Sequence, residues 1–150
     1  MCIRDRKRDE VTTEGGLNLI SNEDFYANYV KDLKRSNIVV SAFIDPIASQ
    51  IDCAKSIGFD SIELHTGKYA NSTLNNKFEQ LQKIKESTYY ASDLDLLVNA
   101  GHGLNYQNVR DIASITNMNE LNIGHSIVAR ALAVGLEKSV REMKTLISIK

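Results

Sequence analysis

Four short apolar runs, with a polar stretch of helix length after each, constrain this chain more than any other feature. Residues 38–44 are β-branched and nearly continuous, and further runs at 61–65, 96–100 and 120–123 leave room for a helix between each pair. Runs of this length read as strands buried on both faces, and strands alternating with helices form a parallel sheet with right-handed crossovers. The expected class is therefore α/β.

The intervening segments carry helical patterning. Asp45-Pro46 reads as a cap and first-turn proline opening a helix that runs to about Ser56 and stops before Gly58. A long helix is expected over 73–91, with Phe78, Leu81 and Ile84 inward and Lys85 bordering that face. Asn105 can cap a helix on which Val109, Ile112, Ala113 and Ile115 share a face. Gly135 divides two further helices, 126–133 and 136–149, and an upstream helix at 18–35 puts Phe25, Tyr29, Val30 and Leu33 on one side.

Two architectures fit. One is an open sheet with helices on both faces, which usually wants about five strands. The other is half of an eight-fold (β/α)8 TIM barrel, about four βα units, whose complete form needs roughly 250 residues. The helix ahead of the first strand favours the second. Residues 1–6 show neither a signal-peptide layout nor a strand or helix period, so they read as a leader on a single domain over 7–150.

Composition narrows the partners. The chain has 150 residues, 43% hydrophobic and 25% charged, enough for one globular core. A net charge of -1, with both signs scattered, gives no broad field for nucleic acid or an anionic membrane. An anion must be held locally, which suits a small phosphorylated metabolite. Cys2 and Cys53 have no metal-ligand or redox spacing, and without a secretory signal or long apolar span a reducing cytoplasm is expected. Cys53 reads as a small core residue.

All three histidines stand where an apolar run ends, which is where parallel sheets gather their ligands. His102, between Gly101 and Gly103, can exchange protons near neutral pH while neighbouring amides face a substrate; its ring can equally bond a loop carbonyl. Gly124-His125 opens a helix, where free N–H groups attract phosphate, although a tight turn would also need the glycine. Strand alternation puts Glu63 and His65 on one side, where Glu63 can stabilise positive charge on a reacting nitrogen or the two can bond each other. The histidines include no helix-spaced pair, so no metal is expected. The segment 11–16, with Thr12, Thr13 and two glycines, reads as a loop able to touch a polar ligand.

Together the strings Val11-Thr12-Thr13-Glu14-Gly15-Gly16-Leu17, Phe43-Ile44-Asp45, Ile62-Glu63-Leu64-His65-Thr66-Gly67 with Tyr69-Ala70, Val98-Asn99-Ala100-Gly101-His102-Gly103-Leu104 and Glu120-Leu121-Asn122-Ile123-Gly124-His125 are far more specific than any one. In this order they resemble the pyridoxine 5'-phosphate synthase family of vitamin B6 biosynthesis, from about Lys7 onward. The resemblance implies the C-terminal part of a TIM barrel that condenses 3-amino-2-oxopropyl phosphate with 1-deoxy-D-xylulose 5-phosphate, without metal or organic cofactor. By the same resemblance His102 matches a proton donor and Glu63 a carboxylate that stabilises the transition state. Gly103, Gly124 and His125 match groups holding the amino-ketone phosphate, and Thr12 a contact to the deoxyxylulose phosphate. His65 matches a motif position with no role to carry over. The family forms a homo-octamer, so a homo-oligomer is implied.

The family's remaining general bases, a histidine and a glutamate, and several arginine and asparagine contacts belong to the first half of the barrel, and nothing here matches them. This chain alone is therefore expected not to close the ring, and to self-associate through open strand edges. Two further readings stand beside it: an open-sheet module that binds a phosphorylated ligand at Gly124-His125 without chemistry, and a structural half-barrel that assembles with another chain.

Overall fold

The computed structural model describes residues 2–3 and 15–148. Its strands lie side by side in chain order, all parallel: β1 (Cys2–Ile3), β2 (Ser41–Ile44), β3 (Ser61–His65), β4 (Leu97–Gly101) and β5 (Met118–Asn122). The protein is thus α/β with a parallel sheet. A doubly wound sheet reverses its strand order at a switch point. No such reversal occurs among the described strands.

Register sorts each strand into two faces. Ala42, Ile62 and Val98 form one row across β2, β3 and β4, and Ile44, Leu64 and Ala100 the next; all six are buried. They join one core cluster with Val30 of α1 (Glu23–Arg35), Ile51 and Ala54 of α2 (Ala48–Ile57), Ile84 and Ala91 of the long helix Leu74–Asp93, and Ile112 of the short helix Val109–Ala113. Burying each Ile, Leu or Val contributes roughly 1.5–3 kcal/mol, so this face holds the layers together. The opposite face carries Phe43, Glu63 and Asn99 in a single row. That face is left to chemistry.

The remaining helices are a single turn α3 (Gly67–Ala70), α4 (the Leu74–Asp93 helix), α5 (the Val109–Ala113 helix), α6 (His125–Val134) and α7 (Leu136–Ile147). None of the described helices is long and apolar enough to cross a membrane. Cys53 is a free, buried cysteine on α2, and desolvation pushes its thiol pKa up, as a core position requires.

Residues 1–6 carry no strand period in sequence, yet Cys2–Ile3 pair in parallel with Ser41 and Ala42. Asp45 does not cap α2; the N-cap is Ile47, and the Asp45 carboxylate turns to other partners. β2 begins at Ser41, and not at residue 38, because the Val40 amide donates to the Asp60 carboxylate, which also takes Lys34. Phe78 is exposed on α4, and on α1 the core face is Tyr26, Val30 and Leu33, leaving Phe25 and Tyr29 outside.

Candidate functional site

The site is built where β3, β4 and β5 end. Beyond Glu63 the β3 chain buries His65, with only 3% of its surface exposed. Its Nδ1 lies 3.1 Å from Asp45 Oδ1. The Gly16 amide donates to the same oxygen at 3.0 Å, and the Lys68 ammonium donates to Oδ2 at 3.2 Å. The His65 bond, above all, holds the Asp45 carboxyl well below the usual carboxylate range, with the Gly16 amide and Lys68 assisting against its partial burial. An ionised carboxylate only accepts, so the His65 proton sits on Nδ1. His65 therefore bonds Asp45, and not Glu63 as one reading of the strand allowed.

Thr66 fixes the next loop. Its amide donates to the Gly101 carbonyl at 2.9 Å, and its hydroxyl lies 2.8 Å from that oxygen and 2.6 Å from the His102 carbonyl. The tie holds His102 at φ 77° and Gly103 at φ 77°, two successive left-handed residues. Such backbone is strained for a residue with a Cβ and persists only where surroundings enforce it. A Cβ on Gly103 would come 2.6 Å from Ala70 Cβ, so glycine also allows α3 to pack under the loop.

Two close approaches bring the side chains together. A Cβ on Gly101 would collide with the Glu63 carboxylate and come 3.1 Å from Asn122 Cβ, so the bare β4 backbone makes room for Glu63 between neighbouring strands. A Cβ on Gly67 would meet His65 Nε2 at 2.7 Å and His102 Cδ2 at 3.1 Å. The two histidine rings lie 4.8 Å apart, tilted by 41°, with Phe43 edge-on to His65 at 5.3 Å. From below, the Tyr69 hydroxyl reaches the Asn108 carbonyl at 2.8 Å and Asp111 Oδ2 at 2.9 Å, joining α3 to α5; burial, then Asp111, pushes its pKa up.

An open cleft of about 560 Å³ receives these groups. Glu63, His102, Gly103, Gly124 and His125 all line it, together with Asn105, Asn122 and Ser126. The α6 N-terminus opens here, and the first-turn N–H groups of a helix have no partner within it, which favours an anion. Ser126 anchors that turn by donating to the Leu104 carbonyl at 2.9 Å. Thr12 lies outside the described residues. Among those described, no group of three or more His, Cys, Asp or Glu is placed to hold a metal.

Sequence reasoning missed Asp45, whose place before a proline mimicked a helix cap, and Asn122, which carried no distinctive spacing. The signal for Asp45 was its place at the end of a buried strand, where a carboxylate needs partners.

Over residues 1–149 the chain matches the family model described as "Pyridoxal phosphate biosynthesis protein PdxJ". It is 68% identical over 142 residues to a pyridoxine 5'-phosphate synthase of Prochlorococcus marinus (strain MIT 9312), covering 95% of this chain and 60% of that protein. A pyridoxine 5'-phosphate synthase of Thermodesulfovibrio yellowstonii is 50% identical over 147 residues, covering 98% of this chain and 61% of its own length. One from Sulfurihydrogenibium sp. is 49% identical over 141 residues, with 94% and 58% covered. The chain thus spans about three fifths of the length of these curated relatives.

Proposed function

The chain belongs to the pyridoxal phosphate biosynthesis protein PdxJ family, and from that premise we propose that it carries part of the active site of a pyridoxine 5'-phosphate synthase. The reaction joins 3-amino-2-oxopropyl phosphate to 1-deoxy-D-xylulose 5-phosphate, giving pyridoxine 5'-phosphate, phosphate and water. One observation carries the reading: Glu63, His102, Gly103, Gly124 and His125 come from three separate strand ends and line one cleft.

Ring closure expels phosphate and water, and a departing oxygen needs a proton. His102 supplies it. Glu63, on the inner row of β3, faces the positive charge that develops on the amine nitrogen and stabilises it without moving. Gly103 and the Gly124-His125 turn hold the amino-ketone phosphate, and Thr12 contacts the deoxyxylulose phosphate. The mechanism invokes no metal or organic cofactor. Residues 7–150 are read as one part of a (β/α)8 barrel domain, supported by a strand order without reversal and by helices gathered on one face. A free, buried Cys53 suits a reducing cytoplasm.

In a polypeptide of the relatives' full length, His102→Asn is expected to lower turnover about 100-fold or more while substrate affinity changes about threefold or less. A loss confined to affinity would favour a binding module. The chain alone is expected to bind the amino-ketone phosphate without turnover, and turnover at a full-length relative's rate would overturn the division of the site.

A further inference from the structure

The mechanism above uses His102 and leaves His65 without a task, although His65 is buried directly beside the site. Its Nε2 is buried and has no hydrogen-bond partner among the described residues. With Nδ1–H directed at Asp45, a neutral ring carries its lone pair on Nε2. Nε2 borders the gap that Gly67 leaves, and so does His102: one point, the place of a Gly67 Cβ, is 2.7 Å from His65 Nε2 and 3.1 Å from His102 Cδ2.

We propose that His65, locked by Asp45, is a positioning residue for His102, holding the His102 ring at the cleft and favouring its charged form. The inference rests on the reading of His102 as proton donor. Three observations carry it. The rings lie 4.8 Å apart with no side chain at Gly67 to separate them. With its Nδ1–H end against the Asp45 carboxylate, a neutral His65 ring is a fixed dipole whose Nε2 end borders the same gap at Gly67 as the His102 ring. Thr66, next in sequence, reaches the His102 carbonyl, so the pair His65-Thr66 where β3 ends bears on both the backbone and the ring of the donor. A proton donor must begin protonated, and a negative dipole end beside it serves that need.

Other charges act on the same ring. Glu63 on β3 and His125 on α6 share its cleft, while Asp45 and the Lys68 of α3 act through His65. The test must therefore change His65 or its lock and leave those on the cleft in place. Imidazole-labelled NMR of the 150-residue chain reads each histidine separately. In the unmodified chain His65 is expected to show a protonated Nδ1 and a bare Nε2. In His65→Phe, which keeps an aromatic plane, the His102 titration midpoint is expected to fall by about 0.5 pH or more.

Asp45→Asn leaves the His65 ring in place and is expected to mix its tautomers and move His102 in the same direction. This second variant decides the matter if His65→Phe does not fold. A His102 midpoint unchanged in the folded variants, or a His65 protonated on Nε2 in the unmodified chain, would overturn the proposal. The titration needs no turnover: if His102→Asn kept full activity in a full-length polypeptide, the proton-donor reading would fail and the coupling of the two rings would stand.

Discussion

Asp45 concentrates much of the local electrostatics in one side chain, accepting from the Gly16 amide, His65 and Lys68. Its folded-state pKa lies below the ordinary carboxylate value, so these bonds stabilise the fold fully above that ordinary value, about pH 4. The stability is lost as pH falls toward the folded-state value. Asp45→Asn is expected to cost roughly 1.5–3 kcal/mol at pH 7, with the difference from the unmodified chain shrinking on acidification; urea unfolding at pH 7 and pH 3 measures it. At Gly101 the constraint is steric. A methyl there meets the Glu63 carboxylate and Asn122, so Gly101→Ala is expected to lower the thermal midpoint by roughly 3–10 °C. The sequence showed a glycine beside a histidine. That the space above Gly101 belongs to a carboxylate from the neighbouring strand is a fact of register, with no local sequence mark.

At the scale of elements, the runs that read most clearly were those whose ends coincide with a ladder. Residues 61–65 form β3 as expected because β4 pairs along its whole length and β2 along Ser61 to Leu64. The first run loses residues 38–40 because Asp60, a distant side chain, takes the Val40 amide. The final strand begins at Met118, ahead of residue 120, because the β4 partner Val98 pairs there across an irregularity in register. The tie from β3 to the end of β4 is the element that shapes the site. Thr66→Val preserves shape and the amide bond to the Gly101 carbonyl but removes the one hydroxyl proton that the Gly101 and His102 carbonyls share, an expected loss of about 0.5–1.5 kcal/mol by denaturant unfolding. Threonine's role there was invisible in sequence, since its partners lie 35 and 36 residues away.

Over the whole molecule, apolar surface remains where helix patterning alone would have buried it. Val128 and Leu132 stand one turn apart on α6, and with Leu136 they are 60%, 88% and 62% exposed. A net charge of -1 opposes association only weakly. Self-association is expected, and sedimentation velocity should show species larger than one chain whose proportion falls with dilution. Leu132→Glu is expected to shift that distribution toward single chains. A concentration-independent single-chain species in the unmodified protein would contradict the expectation.

Sequence by itself determined the α/β class, the four principal strands and five of the eleven residues that line the cleft. Those properties follow from hydrophobic period and from glycines and histidines placed at strand ends, all of them local. Tertiary structure decided that Asp45 binds His65 instead of capping a helix, that helices gather on one face, and that Gly67 lets two histidine rings approach. These depend on which distant backbone arrives beside which side chain, and a parallel sheet brings together strand ends separated by whole helices.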